Sequence, residues 1–287
     1  MILKLEELTK SYKDTTALDN ITFSFTSGIY GLLGPNGAGK STMMNLITDN
    51  LKPTRGRVLL DNCSIEKMGK EYRKLLGYMP QQQNIYPELS LRRFLYFMAA
   101  LKGLKKGEAE KEIDCYVRMV KLEEVLAKKL GTFSGGMKHR ALIAQALIGN
   151  PAILILDEPT AGLDPKERIR IRNLISEVAR DKIVIIATHV VTDIEFIAKE
   201  IIMLNRGSIL RSGSPAMLLE ELDGKVWNIF LPDEELEEVN AEYKVSNIAR
   251  DEDGVAARII TESYDGRWKK EAVRPNLEDL YLYLNGD

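Results

Sequence analysis

The sequence predicts an α/β fold in which a parallel sheet is covered on both faces. Two continuous apolar runs, at residues 152–156 and 183–187, have the length and composition of strands that are buried on both sides. A third run, at 29–33, leads directly into a glycine-rich loop. Chemically active residues follow each run at its carboxyl end, where open parallel sheets bind their ligands. The predicted fold therefore also predicts where a binding site should lie.

The composition is that of an ordinary globular protein. The chain has 287 residues, of which 45% are hydrophobic and 29% charged, enough for a large domain with an appendage. No apolar run approaches the roughly 20 residues needed to cross a bilayer, and residues 1–7 do not resemble a signal peptide. We therefore expect a cytoplasmic protein. Cys63 and Cys115 lack metal-ligand spacing and are predicted to be free, buried thiols.

Charge is distributed unevenly along the chain. From residue 220 onward there are eighteen Asp or Glu and eight Lys or Arg, a net charge of −10. Because the whole chain carries −2, residues 1–219 carry +8. This modest positive charge favours a polyanionic ligand, but it does not form the basic stripe of a duplex-binding surface. No nucleic-acid partner is expected.

Residues 1–28 alternate between polar and apolar in the manner of antiparallel strands, and residues 57–60 add another strand. Helical spacing dominates from about 87 to 129. The composition shifts near residue 220, and the remainder mixes strand-like pieces with helical ones. A terminal helix is predicted there, with Asn276 as its N-cap and Asp279 at its third position.

The glycine-rich loop is the most specific chemical feature. Its spacing, Gly-x-x-x-x-Gly-Lys-Ser, lets consecutive backbone N–H groups surround phosphate oxygens. Lys40 is then aimed at the β and γ phosphates, and the Ser41 hydroxyl is offered to Mg²⁺. A turn that merely connects two elements is the alternative, but the strand before the loop and the helix after it favour a phosphate site. The predicted triphosphate-binding residues are Gly34, Pro35, Asn36, Gly37, Ala38, Gly39, Lys40, Ser41 and Thr42.

Two adjacent carboxylates follow the strand at 152–156. Asp157 would hold Mg²⁺ through water, and Glu158 would orient or deprotonate the attacking water. An Asp-Glu pair at a strand end is by itself usually a solvated turn, but the phosphate loop in the same chain favours catalysis. His189 follows the next strand and is expected at the same edge of the sheet.

A second helix start has the features of an anion site. Ser134 can cap the helix that follows it, while Gly135 and Gly136 leave their N–H groups open. Ser-Gly-Gly alone is a common turn. One nucleotide rarely needs two such sites from the same chain, so this one is predicted to serve a nucleotide held by another copy.

Residues 1 to about 218 resemble the nucleotide-binding subunit of an ATP-binding cassette (ABC) transporter, because they contain the same motifs in the same order. Residues 34–42 match its Walker A motif, 153–158 its Walker B motif and 134–137 its signature. The adenine-stacking aromatic, the Q-loop glutamine, the D-loop aspartate and the switch histidine are matched by Tyr12, Gln81, Asp164 and His189.

The resemblance implies a P-loop NTPase fold with an antiparallel β subdomain and a helical subdomain. The ATPase domain would span 1–219, with the helical subdomain at about 82–150, and a small α+β accessory domain would span 220–287. Its cofactors would be ATP and Mg²⁺. Ser41, Gln81 and Asp157 would be the metal-binding residues, and Glu158, His189 and Gln81 the catalytic ones.

By the same resemblance, two copies close head to tail around two ATP, with Asp164 linking the two sites. ATP hydrolysis would drive a separate integral membrane permease, and residues 86–102 would form part of a groove for its cytoplasmic helix. Residues 275–281 resemble the tail of subunits that serve ABC-2 exporters, which favours export over import. The protein would then lie at the inner face of the cell membrane, held there by the permease.

Several alternatives stay open. Tyr12 could be a simple strand aromatic, and Gln82 or Gln83 could take the place of Gln81. His139 is predicted to be a surface or packing residue. Met137 stands where the family usually has Gln, so a polar contact to the opposing nucleotide is expected to be lost.

Other functional classes are less well supported. An ABC protein that acts on nucleic acid or the ribosome usually carries two cassettes or a long insertion, and this chain has one cassette. A GTPase would need an Asn-Lys-x-Asp motif, which the sequence lacks. A degenerate ATP binder is disfavoured because Glu158 and His189 are both present.

Overall fold

The computed structural model describes residues 1–13, 15–81, 86–251, 254–264 and 266–285. The strands are β1 (Leu3–Tyr12), β2 (Thr15–Phe25), β3 (Gly28–Leu33), β4 (Arg55–Leu60), β5 (Cys63–Ser64), β6 (Leu76–Met79), β7 (Ile153–Asp157), β8 (Ile183–Ala187), β9 (Glu200–Asn205), β10 (Ser208–Gly213), β11 (Val226–Leu231), β12 (Lys244–Asp251), β13 (Gly254–Ile260) and β14 (Lys269–Ala272). The helices are α1 (Lys40–Ile47), α2 (Ile65–Met68), α3 (Lys70–Lys74), α4 (Leu91–Leu101), α5 (Lys106–Met119), α6 (Gly135–Leu147), α7 (Pro165–Val178), α8 (Pro215–Glu220), α9 (Leu236–Glu242) and α10 (Leu277–Asn285).

The chain begins with an antiparallel sheet in the order β2-β1-β4-β5. Its central strand β1 pairs antiparallel with both β2 and β4. Alternate side chains of β1, including Leu3 and Leu5, are fully buried on one face, as the alternating sequence predicts. The predicted antiparallel β region and its strand at 57–60 are confirmed.

A second sheet has the order β10-β9-β3-β8-β7-β6, in which β9, β3, β8, β7 and β6 run parallel. Every residue of β7 and β8 is buried, as their continuous apolar sequences predict. The glycine loop follows β3, the carboxylate pair lies at the end of β7, and His189 comes just after β8. The parallel sheet therefore brings the three predicted motifs to one edge.

Helix α1 packs between these two sheets. Its apolar side chains Met43, Met44, Leu46 and Ile47 are at most 1% exposed and share one core cluster with residues of β1 and β7. Burying each such side chain contributes about 1.5–3 kcal/mol. The helix start that follows the glycine loop is consequently fixed by the core on both sides.

Helices α4, α5 and α6 pack on one another, and α4 and α5 lie within the stretch 87–129 where the spacing predicts helices. Ser90 caps α4 by accepting from the Arg93 N–H at 3.3 Å. The burial prediction for the cysteines is wrong, because both are free but exposed. Cys63 lies on the edge strand β5, and Cys115 lies off the buried face of α5.

The chain divides into two compact units, Met1–Arg211 and Ser212–Asp287. The second unit contains α8 and a sheet in the order β12-β13-β11-β14. One face of this sheet packs with Val239 of α9 and with Trp268 around a core that includes Ile229. This unit has the α+β composition expected of the appendage.

Helix α10 is attached to the second unit by the buried carboxylate of Asp279. The Arg258 guanidinium donates to both carboxylate oxygens, and the Ser246 hydroxyl donates to one at 2.6 Å. Asp279 and Asn276 also exchange backbone-to-side-chain hydrogen bonds at 2.9 Å, which confirms the predicted N-cap. Burial raises the pKa of Asp279, but its hydrogen bonds outweigh that effect and hold the pKa below its usual value.

Replacing Arg258 by Met is expected to destabilise the second unit by about 3 kcal/mol, because it leaves the buried Asp279 carboxylate without its charged partner. Trp227 and Trp268 are the only tryptophans of the sequence and both lie in this unit, so urea unfolding followed by tryptophan fluorescence measures the effect. The loss should shrink as the pH falls through the lowered pKa of Asp279, because the wild-type carboxylate then becomes protonated. Arg250→Met, which removes an exposed ion pair, is the control.

Candidate functional site

A cavity of about 280 Å³ opens at the carboxyl edge of the parallel sheet. The glycine loop, the first turn of α1, the end of β7 and Gln81 form its walls. Its lining residues are Ala17, Asn36, Gly37, Ala38, Gly39, Lys40, Ser41, Thr42, Gln81, Asp157 and Glu158. The structure thus brings the loop, the carboxylate pair and Gln81 around one space, while Gln82 and Gln83 lie outside the described residues.

Two glycines allow the loop to pack against its neighbours. A Cβ at Gly34 would lie 2.4 Å from the carbonyl oxygen of Leu204, and one at Gly39 would lie 2.6 Å from that of Ala17. Gly39 also has φ near +108°, a conformation that a residue with a side chain rarely adopts. Pro35 lies between Gly34 and the lining residues. The loop can therefore take this path only with glycine at both positions.

Lys40 points back along the loop. Its ammonium donates to the carbonyl oxygens of Gly34 at 2.6 Å and Pro35 at 3.1 Å. Burial lowers the pKa of Lys40, while the charges of Glu158 and Asp157 oppose that change. A cation held in this way next to open loop N–H groups is suited to binding a phosphate group.

Asp157 carries the most perturbed carboxyl group at the cavity. Burial, reinforced by the neighbouring charge of Glu158, raises the pKa of Asp157 to about 6. Lys40 and the backbone N–H of Gln81 counteract part of this effect. A bound cation would favour the charged form, so the site is electrostatically prepared for a positive ion.

Ser41, Gln81 and Asp157 offer hydroxyl, amide and carboxylate oxygens to the same cavity. These are the hard donors that Mg²⁺ prefers, and Mg²⁺ usually takes only one or two carboxylates and completes its shell with water and phosphate oxygens. No cluster of three or more His, Cys, Asp or Glu side chains that could hold a metal occurs in the part of the chain that the structure describes. The donors therefore fit a Mg²⁺ that arrives with a nucleotide.

Glu158 is buried and held from several directions. One carboxylate oxygen accepts from the His189 backbone N–H at 3.1 Å and from His189 Nδ1 at 2.8 Å. The other accepts from the Thr188 hydroxyl at 3.2 Å. The backbone of Glu158 has φ near +51°, which is unusual for a residue with a side chain and is typical of functional sites.

Tyr12 does not line the cavity. It ends β1 and is 46% exposed, and the Lys10 ammonium lies 5.3 Å from the centre of its ring. An exposed aromatic face with a nearby cation is compatible with stacking on a base, the role expected of Tyr12. The alternative interpretation, in which Tyr12 is a simple aromatic residue of β1, is equally compatible with this position.

The signature and D-loop residues lie at helix starts outside the cavity lining. Ser134 caps α6 by accepting from the Met137 N–H at 3.3 Å, and Gly135 and Gly136 form the first turn. Asp164 caps α7 by accepting from the Glu167 N–H at 3.0 Å. The Ser134 cap was predicted from the sequence, whereas the capping role of Asp164 is a finding of the structure.

Sequence reasoning missed Ala17, which lines the cavity from β2. No motif marks this small residue, because its position depends on the approach of β2 to the glycine loop. It also missed two contacts of the turn that follows Glu158. His139 Nδ1 bonds the carbonyl oxygen of Pro159 at 2.8 Å, and the buried Thr160 hydroxyl donates to the buried carboxylate of Asp193.

Comparison with known proteins agrees with this geometry. The family model described as ABC transporter matches residues 18–161. The Nod factor export ATP-binding protein I of Burkholderia thailandensis is 32% identical over 299 residues, covering 99% of this chain and 97% of that protein. The linearmycin resistance ATP-binding protein LnrL of Bacillus subtilis is 31% identical over 306 residues, covering 99% and 98%.

Among solved structures, a dimeric ATP-binding cassette in a post-hydrolysis state with bound ADP and Pi is 30% identical. It superposes with a TM-score of 0.67, covering 74% of this chain and 98% of that chain. Within the described residues, none of the helices combines the length and apolarity that crossing a membrane requires. The chain belongs to the ABC transporter family, as an ATP-binding subunit with ATPase activity.

Proposed function

We propose that this chain powers an exporter-type ABC transporter, as a head-to-tail dimer that binds two ATP with Mg²⁺ and drives a separate permease. The main support is that the phosphate loop, Asp157, Glu158 and Gln81 line one and the same cavity. Export is supported by the names of two relatives, a Nod factor exporter subunit and a linearmycin resistance protein, which align over nearly their whole length.

Each part of the cavity has a task in phosphoryl transfer. The loop N–H groups and Lys40 bind and orient the phosphates, and Ser41, Asp157 and Gln81 would hold Mg²⁺. Bound Mg²⁺ would neutralise charge on the β- and γ-phosphate oxygens. Glu158 orients the attacking water and accepts its proton, and His189 holds the Glu158 carboxylate in place.

The signature residues support the dimeric arrangement. Ser134, Gly135 and Gly136 form a capped helix start that does not line this chain's own cavity. A helix start binds anions through its free N–H groups, so these residues suit the nucleotide of a second copy. Asp164, at the start of α7, would connect the two sites. The dimeric state of the related cassette is consistent with this arrangement.

An exposed apolar surface on the helical region suits a membrane partner. Tyr86 is 50% exposed and its ring lies 5.8 Å from that of Phe97, which is 43% exposed. Leu101, on the same helix α4, is 67% exposed. We assign this surface, consisting of Tyr86, Phe97 and Leu101, to the cytoplasmic helix of the permease, which would hold the chain at the inner face of the membrane.

Phe97→Glu is therefore expected to abolish co-purification of the tagged chain with a polytopic membrane protein from detergent-solubilised native membranes. A charge placed in an apolar contact would be desolvated without a partner. Phe196→Glu is the matched control, because Phe196 is even more exposed but lies next to Arg172 of α7 and not on α4. Recovery of no membrane protein with the wild-type chain would contradict the transporter assignment, and equal loss in both variants would contradict the assigned surface.

A further inference from the structure

The short turn that follows Glu158 is bonded to two other parts of the molecule. On one side, the Thr160 hydroxyl donates to Asp193, in the segment after His189, and both side chains are buried. On the other side, the carbonyl oxygen of Pro159 lies 2.8 Å from Nδ1 of His139 on α6. The turn is thus attached both to the switch segment and to the helix that begins with the signature.

The direction of the hydrogen bond between His139 and Pro159 follows from the chemistry of the two groups. A carbonyl oxygen only accepts hydrogen bonds, so His139 must carry a proton on Nδ1 and donate it. His139 is half-buried, on the second turn of α6, the helix capped by Ser134. The bond therefore connects the second turn of α6 to the peptide unit between Pro159 and Thr160, one residue beyond Glu158.

Backbone hydrogen bonds on both sides of Pro159 join the turn to Glu158 and to β8. The Glu158 N–H donates to Ala187 of β8 at 2.8 Å, and the Ala161 N–H closes the turn on the Glu158 carbonyl at 3.2 Å. A displacement of the Pro159 carbonyl would be felt by the peptide bonds on both sides of it. The His139 bond therefore joins α6 to the backbone segment that carries the Glu158 side chain, while His189 and Thr188 hold the carboxylate itself.

We propose that His139 is a positioning residue that links the signature helix to Glu158 of the same chain. This inference rests on the proposed function, in which the signature binds the partner's nucleotide while Glu158 acts on the chain's own. His139 then makes the reactivity of one site depend on the engagement of the other. The sequence predicts only a surface or packing residue at this position, and the proposed role differs from both.

Three substitutions separate this role from packing. His139→Phe keeps the ring but removes the donor. His139→Asn places an amide N–H where Nδ1 stands, whereas His139→Gln places it nearer to Nε2. In His139→Phe and His139→Gln we expect kcat for ATP hydrolysis to fall about tenfold or more, with KM unchanged. In His139→Asn we expect kcat to be close to that of the wild-type chain. Helix propensity alone would favour Gln over Asn, which is the opposite order.

A second measurement needs no nucleotide. Hydrogen exchange of the Ala161 amide should be faster in His139→Phe and His139→Gln than in the wild-type chain and in His139→Asn, because the turn loses an anchor. Nitrogen NMR of the wild-type imidazole should show a protonated Nδ1. Lys138→Gln is the control, since it changes the neighbouring residue of α6 without removing the His139 donor.

Equal kcat and equal exchange in His139→Phe and the wild-type chain would overturn the inference, as would restoration by Gln rather than by Asn. Loss of both properties in Lys138→Gln would also overturn it, because any disturbance of α6 would then suffice. Failure of the wild-type chain to hydrolyse ATP would instead count against the proposed function. The exchange and NMR experiments would still decide the inference in that case.

Discussion

Replacing Glu158 by Gln is expected to lower ATP turnover about a thousandfold while leaving ATP binding intact. A positioned general base contributes about 10²–10⁴-fold to catalysis, and an amide cannot accept the proton of the attacking water. Binding should survive because the phosphates are held by the glycine loop and Lys40. The nucleotide would therefore persist, and with it the closed dimer that we propose.

The surroundings of Glu158 indicate that the variant should fold. The amide oxygen of Gln can still accept from the His189 backbone N–H and side chain, which both bond one oxygen of Glu158. At the other position, the amide N–H₂ can donate to Thr188, whose hydroxyl oxygen already accepts from the Val190 N–H. The exchange thus changes the chemistry and preserves most of the hydrogen bonding.

Phosphate release measures turnover, and light scattering after size-exclusion chromatography with ATP measures the dimer. Glu177→Gln, an exposed position on α7, is the matched control and should behave as the wild-type chain does. Unchanged turnover in Glu158→Gln would remove Glu158 from the catalytic role. A loaded variant that remains monomeric, even beside its permease, would contradict the head-to-tail dimer.

The parts of the site that could be predicted from the sequence are those encoded by neighbouring residues. The spacing from Gly34 to Ser41 specifies a loop by backbone conformation, and the apolar runs before Gly34, Asp157 and His189 specify parallel strands. Once the strands are parallel, their carboxyl ends must share an edge. Local patterns and one topological rule were therefore sufficient to place the predicted catalytic residues at one edge of the sheet.

Contacts between distant elements could not be predicted in this way. The His139–Pro159 and Thr160–Asp193 bonds join residues separated by 20 and 33 positions, and nothing in their local sequence specifies the partner. Exposure of Cys115 depends on which face of α5 packs inward, and the prediction from composition was wrong. The unit boundary after Arg211 likewise depends on how the chain packs.

Asp157→Asn is expected to stabilise the nucleotide-free protein and to abolish Mg²⁺-dependent hydrolysis. The pKa of Asp157 is raised from its ordinary 3.8 to about 6, so the folded state disfavours the charged carboxylate. At about 1.4 kcal/mol for each pKa unit, ionisation costs the folded state up to about 3 kcal/mol above pH 6. The neutral amide avoids this cost, but it also removes the charge that would hold the metal.

The pH dependence identifies the cause. Above pH 6 the stabilisation should be fully present, because wild-type Asp157 is then charged in both the folded and the unfolded state. It should diminish as the pH falls from 6 towards 3.8, where folded Asp157 is protonated, and vanish below that range. Urea unfolding followed by far-ultraviolet circular dichroism at pH 8 and pH 4 tests this, since the tryptophans report only on the second unit.

Asp181→Asn, at an exposed acidic residue, is the control. Equal stability of Asp157→Asn and the wild-type chain at pH 8 would show that burial does not disfavour the charged form of Asp157. The claim that the site is electrostatically suited to a metal ion would then be wrong.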